Sequence, residues 1–387
     1  MICGAGISGL TLAWRLRQLG HTPLIVEQAA ALRDGGYMID FFGSGFDAAE
    51  KLGIIPDLEQ IHYPIARLAF VNSAGKERFS LSYRVLRRRL FDDRHFNFMR
   101  GDLERVLYSR IENRVEIRFG TTIDTAYQDG ERVHVGLSDG SSEECDLLVG
   151  ADGVHSRVRS LVFGEESRFS RFLGFHTAAF VIDKISRALR ATDAFVTLSV
   201  PNRQVAVYPI RDGRLATFFV HRADHPVGSG SREAALQELR EIYANMGWIV
   251  DELLQEASGL PGLYFDDVSQ IEMPRWSSGR VALLGDACQC VSLLAGQGAS
   301  MAMAAAYILA GELDAESNVD EALRRYERRL KPFIQKKQAA GRNMAGWFVP
   351  KNSGRRILRD LALRLSGWPV TSYLVRSSVA GDSIFRE

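Results

Sequence analysis

The sequence has almost no net charge, few cysteines and no apolar run suited to crossing a membrane. Its 48 basic and 47 acidic residues leave a formal net charge of +1, so no field of one sign draws the chain to nucleic acid or to a membrane surface. The apolar stretch 293–313 is interrupted by glycines and indicates a buried helix. The apolar start lacks a basic leader, so we do not expect a signal peptide. We therefore expect neither a nucleic-acid nor a membrane partner.

Four cysteines, at positions 3, 145, 288 and 290, are too few for a disulfide framework in a chain of this length. Reduced thiols in the cytoplasm are the simpler interpretation. The Cys288-Gln289-Cys290 pair cannot complete a tetrahedral zinc site alone, and no other cysteine or histidine pair has matching spacing, so we predict no metal site. The absence of a Gly-x-Ser-x-Gly elbow and of a kinase motif set argues against those two catalytic classes.

A glycine-rich loop opens the chain, with the sequence Gly4-Ala5-Gly6-Ile7-Ser8-Gly9. Helical spacing follows it, and the next apolar run predicts a strand. In such a unit Gly4 permits a tight turn, Gly6 lets the backbone approach a pyrophosphate, and Gly9 lets the helix pack on the strand. We expect this loop, Ser8 included, to bind dinucleotide phosphates at the start of the helix.

Glu27 stands at the tip of the second predicted strand, where a carboxylate accepts hydrogen bonds from ribose hydroxyls. An acid at this position repels a 2′-phosphate, so the nucleotide held here is not NADP. The alternative is a chance glycine-rich loop. Only three residues precede the loop, so either the first strand is short or the true start lies upstream.

A second motif, Gly150-Ala151-Asp152-Gly153, follows the apolar run 146–149. The run predicts a buried strand, and the turn after it places the Asp152 carboxylate at the end of that strand. Asp152 is therefore a candidate cofactor-binding residue. The alternative is an ordinary turn, because Asp-Gly is a common turn pair.

The third motif is Gly285-Asp286-Ala287 after the apolar run 280–284, followed by Ala295-Gly296-Gln297-Gly298 and a small-residue helix from Ala299. Asp286 would bind ribitol hydroxyls. The helix start, comprising Gly296, Gln297, Gly298 and Ala299, would offer amides and partial positive charge to a reduced isoalloxazine. Taken alone, the third motif could also be an ordinary helix start that glycines make flexible. The order and spacing of the three motifs together point to FAD.

These residues resemble the class A FAD-dependent aromatic hydroxylases of the p-hydroxybenzoate hydroxylase type, over residues 1–330. The segments 35–45, 100–103 and 295–298 are most similar to the tetracycline-inactivating monooxygenases within that family. The resemblance implies an α/β fold, with a Rossmann-like FAD-binding domain, a second mixed β-sheet substrate domain and a C-terminal helix. It also implies that Arg100 contacts the flavin dinucleotide.

The sequence departs from this family at two positions. Gln289 stands where such hydroxylases usually carry His, and Ser292 where they usually carry Pro. The family proline lies beside the flavin, so we expect the oxygen-activating contact to differ in this chain.

The length and the 46% hydrophobic content allow more than one domain. We expect a discontinuous FAD-binding domain of residues 1–70, 96–165 and 270–330, and a substrate-binding domain of residues 71–95 and 166–269. Strand-like runs at 195–200, 205–210 and 215–221 would form the substrate sheet, joined by 69–71. Candidate residues lining an apolar substrate pocket are Phe195, Thr197, Tyr208, Arg211 and Phe219.

Residues 331–387 form a predicted C-terminal helical segment. Within it Ile357, Leu361 and Leu365 share a helix face, with arginines around them. Two interpretations stay open: a cap over the substrate pocket, as the resemblance implies, or a packing helix with a solvated basic face.

The resemblance implies that NADPH or NADH reduces FAD and that dioxygen then forms a flavin C4a-hydroperoxide, which hydroxylates an aromatic or enolic carbon, plausibly of a tetracycline. A single dinucleotide motif implies that the nicotinamide visits transiently. The alternatives are a flavin-containing binder or sensor of aromatic ligands, and a halogenase or reductase on the same fold. The five tryptophans form no Trp-x-Trp motif, which disfavours a halogenase. The oligomeric state stays open.

Overall fold

The computed structural model describes residues 1–32, 37–63, 65–183, 193–227, 231–260, 262–365 and 383–385. The strands are β1 (Ile2–Cys3), β2 (Leu24–Glu27), β3 (Met38–Phe42), β4 (Arg67–Val71), β5 (Glu77–Ser82), β6 (His95–Met99), β7 (Glu116–Phe119), β8 (Ile123–Gln128), β9 (Val133–Leu137), β10 (Ser142–Cys145), β11 (Leu148–Gly150), β12 (Ser170–Ile182), β13 (Ala194–Val200), β14 (Arg203–Pro209), β15 (Leu215–Arg222), β16 (Tyr264–Ile271), β17 (Ser277–Ser278) and β18 (Val281–Leu283).

The helices alternate with these strands along the first part of the chain and dominate its end. They are α1 (Ile7–Gln18), α2 (Ser44–Leu52), α3 (Ile55–Ile61), α4 (Tyr83–Phe91), α5 (Arg100–Ser109), α6 (Arg157–Val162), α7 (Arg232–Tyr243), α8 (Val250–Gly259), α9 (Asp286–Gln289), α10 (Gly298–Ala315), α11 (Val319–Phe348) and α12 (Ser353–Leu365). In the part of the chain that the structure describes, no helix is both long and apolar enough to cross a membrane.

The first sheet has six strands in the order β17-β18-β11-β1-β2-β7. Its strands run parallel except for β17. The two-residue strand β1 lies in the middle, where Ile2 pairs with Val149 on one side and Ile25 on the other. These side chains are fully buried, as expected for a parallel sheet covered on both faces. The sheet confirms the three strands predicted before the three motifs.

The second sheet has seven strands in the order β16-β12-β15-β14-β13-β4-β5. Neighbouring strands are antiparallel except for β13 and β4, which are parallel. It contains the three strand-like runs predicted for the substrate sheet, and β4 confirms that residues 69–71 join it. A three-stranded meander β10-β9-β8 and a two-stranded ribbon β3-β6 complete the strands. The α/β fold class with a second mixed sheet is confirmed.

The seven-stranded sheet has two faces with different coverings. One face packs on α7 and α8 through a separate apolar core that contains Phe219, Leu239 and Leu253. The other face carries Phe195, Tyr208 and Phe218, whose neighbours belong to the core of the first sheet. We call this second side the inner face, because it faces the part of the molecule that contains the three glycine motifs.

Candidate functional site

The three motifs meet at one edge of the first sheet. Strands β1, β11 and β18 are parallel neighbours, so their carboxyl ends lie together. A Cβ placed on Gly4 would lie 2.4 Å from the Ala151 carbonyl oxygen, and one on Gly285 would lie 2.7 Å from Ser8 Oγ. These short distances show that the three glycine motifs pack directly against one another.

The glycines of the first loop have distinct local surroundings. Gly4 has φ of +108°, which L side chains rarely adopt, and a Cβ on Gly9 would lie 2.0 Å from the Gly4 carbonyl oxygen. Gly6 is different, because its φ is −79° and a Cβ there would only make ordinary contacts, at 3.5 Å from Arg100 Nη2 and 3.7 Å from Glu104 Oε1. Gly4 and Gly9 are therefore required by the fold itself, whereas Gly6 leaves space that a ligand can use.

The start of α1 and the Glu27 carboxylate form one unit. Gly6 is the N-cap of α1, and its position offers no side-chain cap to the first amides. Glu27 accepts hydrogen bonds from the amides of Ala5, at 2.7 Å, and Ala29, at 2.8 Å. The carboxylate is thus held directly beside the glycine loop, with its remaining lone pairs available to hydroxyl donors.

Arg100 and Asp286 lie close enough for their charges to interact, and Arg100 also adjoins Gly6 of the first loop. Arg100 begins α5 and pairs with Glu104 at 3.1 Å. Asp286 begins α9, and burial raises the pKa of its carboxyl while the charge of Arg100 opposes the rise. No hydrogen bond to the Asp286 carboxylate occurs within the described ranges. A Cβ on Gly298 would lie 3.8 Å from Asp286 Oδ1, so this carboxylate is close to the start of α10.

The start of α10 is shaped by the glycines before it. Gly296 has φ of +64°, Gln297 is the N-cap residue without a side-chain cap bond, and Ala299 lies in the first turn. In that turn Ser300 Oγ accepts a hydrogen bond from the Phe42 amide at 3.2 Å. The predicted helix from Ala299 is confirmed, and its start adjoins Asp286 as the third motif predicted.

The Asp152 carboxylate accepts hydrogen bonds from within the protein through both of its oxygens. Its Oδ1 accepts a hydrogen bond from Ser156 Oγ at 2.6 Å, and its Oδ2 accepts one from the Val158 amide at 3.0 Å. These bonds attach the start of α6 to the end of β11, where the Ala151 amide also bonds to the Cys3 carbonyl at 2.7 Å.

Three of the five predicted pocket residues share the inner face. Phe195 and Tyr208 stack with ring centroids 4.9 Å apart, and Thr197 is the next residue on that side of β13. The Tyr208 hydroxyl accepts a hydrogen bond from the Met38 amide at 2.8 Å. This bond joins the substrate sheet to the β3-β6 ribbon.

Phe219 and Arg211 lie elsewhere, which corrects the sequence-based expectation. Phe219 is fully buried on the opposite face, where it packs on Phe180 and Tyr243. Because side chains alternate along a strand, its neighbour Phe218 occupies the inner face instead. Arg211 is exposed, and its guanidinium carbon lies 5.4 Å from the centroid of the Tyr63 ring.

An aromatic wall, which we define as Tyr37, Phe218 and Tyr264, lies between the sheet and the third motif. Ring centroids of Tyr37 are 6.2 Å from Phe218 and 5.6 Å from Tyr264. Burial raises the pKa of both tyrosines, so both hydroxyls remain protonated donors at neutral pH. The Tyr37 carbonyl accepts a hydrogen bond from the Arg100 amide at 3.1 Å, which connects the wall to the cofactor edge.

Sequence reasoning missed a polar network on the β3-β6 ribbon. Asp40 Oδ1 accepts hydrogen bonds from Tyr83 at 2.6 Å, His95 at 2.9 Å and Asn97 at 2.5 Å. Burial alone raises the pKa of Asp40, but these donors outweigh it and the net pKa is lowered. The side chain nevertheless stays 46% exposed, so its carboxylate is ionised, fixed and accessible. No local sequence signal joins residues so far apart.

The two departures from the family pattern have different consequences. Gln289 is buried, and its Nε2 donates to the Tyr326 hydroxyl of α11 at 2.5 Å. Ser292 has φ of +108°, a backbone conformation that proline cannot adopt because its ring fixes φ near −65°. The backbone itself therefore differs from one that could carry proline at this position.

The C-terminal helix α12 covers the inner face in an unexpected orientation. Arg359 and Asp360 are buried, whereas Ile357, Leu361 and Leu365 are exposed. Arg359 bonds to Gln204 Oε1 at 3.0 Å, and Arg78 pairs with Asp360 at 2.8 Å. The expectation of a solvated basic face holds for Arg355 and Arg364, which are exposed, but not for Arg359, whose charge is paired with Asp360. Residues 366–382, 386 and 387 of the predicted segment lie outside the described residues.

Comparisons with known proteins agree with this geometry. A family model described as FAD binding domain matches residues 1–340, and the chain belongs to this family. A flavin-dependent monooxygenase of Legionella longbeachae is 30% identical over 362 residues, covering 91% of this chain and 90% of the relative. An uncharacterized protein of Mycobacterium tuberculosis is 33% identical over 371 residues, covering 94% and 98%.

Two solved structures share the whole architecture. The tetracycline destructase Tet(55) is 27% identical with a TM-score of 0.85, covering 99% of this chain and 97% of that one. HpxO of Klebsiella pneumoniae, solved with FAD and uric acid, is 25% identical with a TM-score of 0.79, covering 98% and 96%. The protein is accordingly an FAD-dependent monooxygenase of the class A aromatic hydroxylase type.

The described residues fit FAD. Gly6 keeps space beside uncapped helix amides, and the Asp286 carboxylate lies at the base of the third motif without a hydrogen bond from the described residues. Both features suit a ligand that carries phosphates at one end and hydroxyl donors farther along.

Proposed function

We propose that this monooxygenase hydroxylates an aromatic or enolic small molecule, with NADPH or NADH as electron donor and dioxygen as co-substrate. A tetracycline is the first substrate to test. The observation that carries the proposal is the inner face, where stacked Phe195 and Tyr208 and the aromatic wall adjoin the cofactor edge. The similarity to a tetracycline destructase supports the substrate.

The cofactor site that we propose follows the edge of the first sheet. Amides at the start of α1 would bind the pyrophosphate. The Glu27 carboxylate would accept hydrogen bonds from the ribose hydroxyls, and the Asp286 carboxylate would accept them from the ribityl hydroxyls. Bound FAD supplies the electron transfer and the activation of oxygen. The proposed cofactor-binding residues are Gly4, Gly6, Ser8, Gly9, Glu27, Arg100, Asp152, Asp286, Gly296, Gln297, Gly298 and Ala299.

The protein's own contribution to the reaction would be positioning and exclusion of water. An aromatic substrate would pack on the inner face, where Phe195 and Phe218 provide apolar surface. The protonated Tyr37 and Tyr264 hydroxyls would donate hydrogen bonds to substrate oxygens. The ionised Asp40 carboxylate would accept a hydrogen bond from a substrate hydroxyl or ammonium group. Such placement holds the reacting carbon in reach of the activated oxygen.

The proposed domain division follows the two sheets. Residues 1–70, 96–165 and 270–330 would form the FAD-binding domain, and residues 71–95 and 166–269 the substrate-binding domain. Strand β4 begins at Arg67 and belongs to the seven-stranded sheet, which supports a boundary at the start of this strand in place of residue 70. All four cysteines are free, which supports the proposal of a cytoplasmic location.

The test is substrate-stimulated oxidation of NADPH or NADH by the FAD-loaded enzyme, with mass spectrometry of the product. We expect tetracycline to accelerate the oxidation and to gain one oxygen atom, which is labelled when the gas is ¹⁸O₂. Uric acid and simple phenols serve as comparison substrates. If one of them is oxygenated and tetracycline is not, the substrate is wrong and the hydroxylase reaction stands. If none of these compounds is oxygenated, the proposed substrate class is wrong.

A flavin-containing binder of aromatic ligands is the second candidate. The conformation of Ser292 favours it, because the segment beside the third motif departs from the backbone that the family proline requires. The same assay separates the two: a binder perturbs the flavin spectrum on addition of tetracycline but consumes no NADPH or NADH with any of the compounds.

A further inference from the structure

Two histidines and a glutamate meet on the outer side of the seven-stranded sheet, opposite the inner face. His176 on β12 and His221 on β15 are direct partners in the antiparallel register. Glu238 projects from α7, which covers this side. The potential ligand atoms of the three side chains all lie within 4.8 Å of one another. The sequence spacing of 176, 221 and 238 did not predict the cluster.

One carboxylate oxygen joins the two imidazoles. His176 Nδ1 donates to Glu238 Oε1 at 2.6 Å, and His221 Nε2 donates to the same oxygen at 2.9 Å. The histidine side chains are 7% and 1% exposed, whereas that of Glu238 is 33% exposed. The cluster is therefore enclosed on the sheet side and open to water on the helix side.

The surroundings of His176 resemble those of a metal-bound histidine. Its Nε2 donates to the His225 carbonyl at 2.9 Å and lies 3.4 Å from Asp267 Oδ1. Asp267 is in turn held by the Val227 amide at 2.8 Å. Histidine ligands generally give their second nitrogen to a carbonyl or carboxylate in this way, because the bond fixes the ring orientation and the tautomer.

A second observation concerns polar atoms that have no partner. His221 Nδ1 and the Tyr243 hydroxyl are both buried without a hydrogen bond among the described residues. Their rings pack edge to face at 5.6 Å. At present the Nδ1 atom of His221 is an acceptor without a partner among the described residues. If His221 Nε2 binds a metal, the ring proton moves to Nδ1, and Nδ1 becomes a hydrogen-bond donor.

The spacing and charge suit a divalent cation. Tetrahedral zinc with bonds of about 2.0–2.1 Å needs ligand atoms roughly 3.3 Å apart. The two contacts to Glu238, of 2.6 and 2.9 Å, must therefore lengthen as the ion replaces the shared protons, and the two imidazole nitrogens, which lie within 4.8 Å of each other, must adopt the same spacing. Glu238 and Asp267 together carry the negative charge that balances such an ion. Two imidazoles and a carboxylate favour zinc and its transition-metal neighbours over calcium or magnesium.

We propose that His176, His221 and Glu238 bind a divalent transition-metal ion, with Zn²⁺ as the favoured ion and water completing its coordination. The site would fasten α7 to β12 and β15, on the side of the sheet remote from the aromatic wall. It goes beyond the proposed oxygenation reaction and does not depend on it.

The experiment is calorimetric titration of chelator-treated, FAD-loaded enzyme with ZnCl₂, beside the variants Glu238→Gln and His221→Gln. We expect saturable binding of one zinc per chain and a zinc-dependent rise in melting temperature, with affinity at least about 100-fold lower in both variants. Glu241→Gln, on the exposed side of the same helix, and His134→Gln, in an exposed cluster with Asp129 and Glu144, are matched controls that should bind as the wild type does.

Three results would overturn the proposal. The first is the absence of saturable zinc binding by the wild-type enzyme, which needs no variant and so stands even if a variant fails to fold. The second is undiminished binding by Glu238→Gln. The third is loss of binding in His134→Gln alone, which would assign the zinc to the exposed cluster.

Discussion

Replacing Gly6 with alanine tests whether this glycine is required for FAD binding or for folding. The φ of −79° at Gly6 suits alanine, and the added Cβ would meet only Arg100 Nη2 at 3.5 Å and Glu104 Oε1 at 3.7 Å. We therefore expect the free energy of unfolding of the FAD-free protein to change by less than about 1 kcal/mol, the range for exchanging residues at an N-cap.

The same methyl group would enter the space proposed for the pyrophosphate. Hydrogen bonds to charged groups are worth about 1.5–3 kcal/mol each, so losing one weakens FAD binding by about 10- to 150-fold. The assay is titration of deflavinated protein with FAD, followed by flavin fluorescence, together with thermal unfolding. Gly311→Ala is the matched control, since Gly311 lies in α10 with nothing within 4 Å of an added Cβ.

Either of two outcomes refutes this reasoning. If Gly6→Ala binds FAD as tightly as Gly311→Ala does, the loop is not the pyrophosphate site. If Gly6→Ala unfolds while Gly311→Ala does not, the space beside Gly6 is needed by the fold rather than by a ligand.

Three further predictions concern single side chains. Asp286→Ala should weaken FAD binding about 10-fold or more and Asp286→Asn less, because the amide keeps an acceptor; full retention of FAD by the alanine variant contradicts the assigned role. Ser292→Pro should lower the free energy of unfolding by about 3 kcal/mol or more, because φ of +108° is closed to proline; an unchanged denaturant midpoint contradicts this. Hydrogen bonds to Asp266 and Glu166 raise the pKa of His155 to about 10, so wild type should exceed His155→Gln in stability, by at most about 1 kcal/mol at this exposed site. That difference should be full below pH 6.5 and vanish as the pH passes about 10, and a difference that grows with pH counts against the assignment.

The cofactor edge could be predicted because each of its motifs is local. A buried strand followed by glycine and an acid specifies its own turn, and parallel strands bring their carboxyl ends together. The sequence therefore predicted that Glu27, Asp152 and Asp286 would stand at strand ends. It did not predict that Asp152 would also hold the start of α6, because both hydrogen bonds depend on the path of the chain after the turn.

The inner face was harder to predict because its strands are buried on both sides. A run such as residues 215–220 is apolar except for Thr217, so no regular alternation reveals which of Phe218 and Phe219 points inward. The assignment is settled by the register with β12 and β14, which the sequence does not display.

The polar clusters depend on contacts between distant residues. Arg359 and Asp360 look like surface residues of an amphipathic helix, and their burial depends on partners distant in sequence, which include Arg78 and Gln204 on the sheet. Composition and spacing within α12 therefore indicated the wrong buried face. The same applies to the network around Asp40, whose partners follow it by more than forty positions.

The most direct test of the central claim is the visible absorption spectrum of the purified protein, before and after addition of FAD. We predict the two-banded spectrum of oxidised flavin, bleached by NADPH or NADH without oxygen and restored by air. A colourless protein that takes up no added FAD would contradict it.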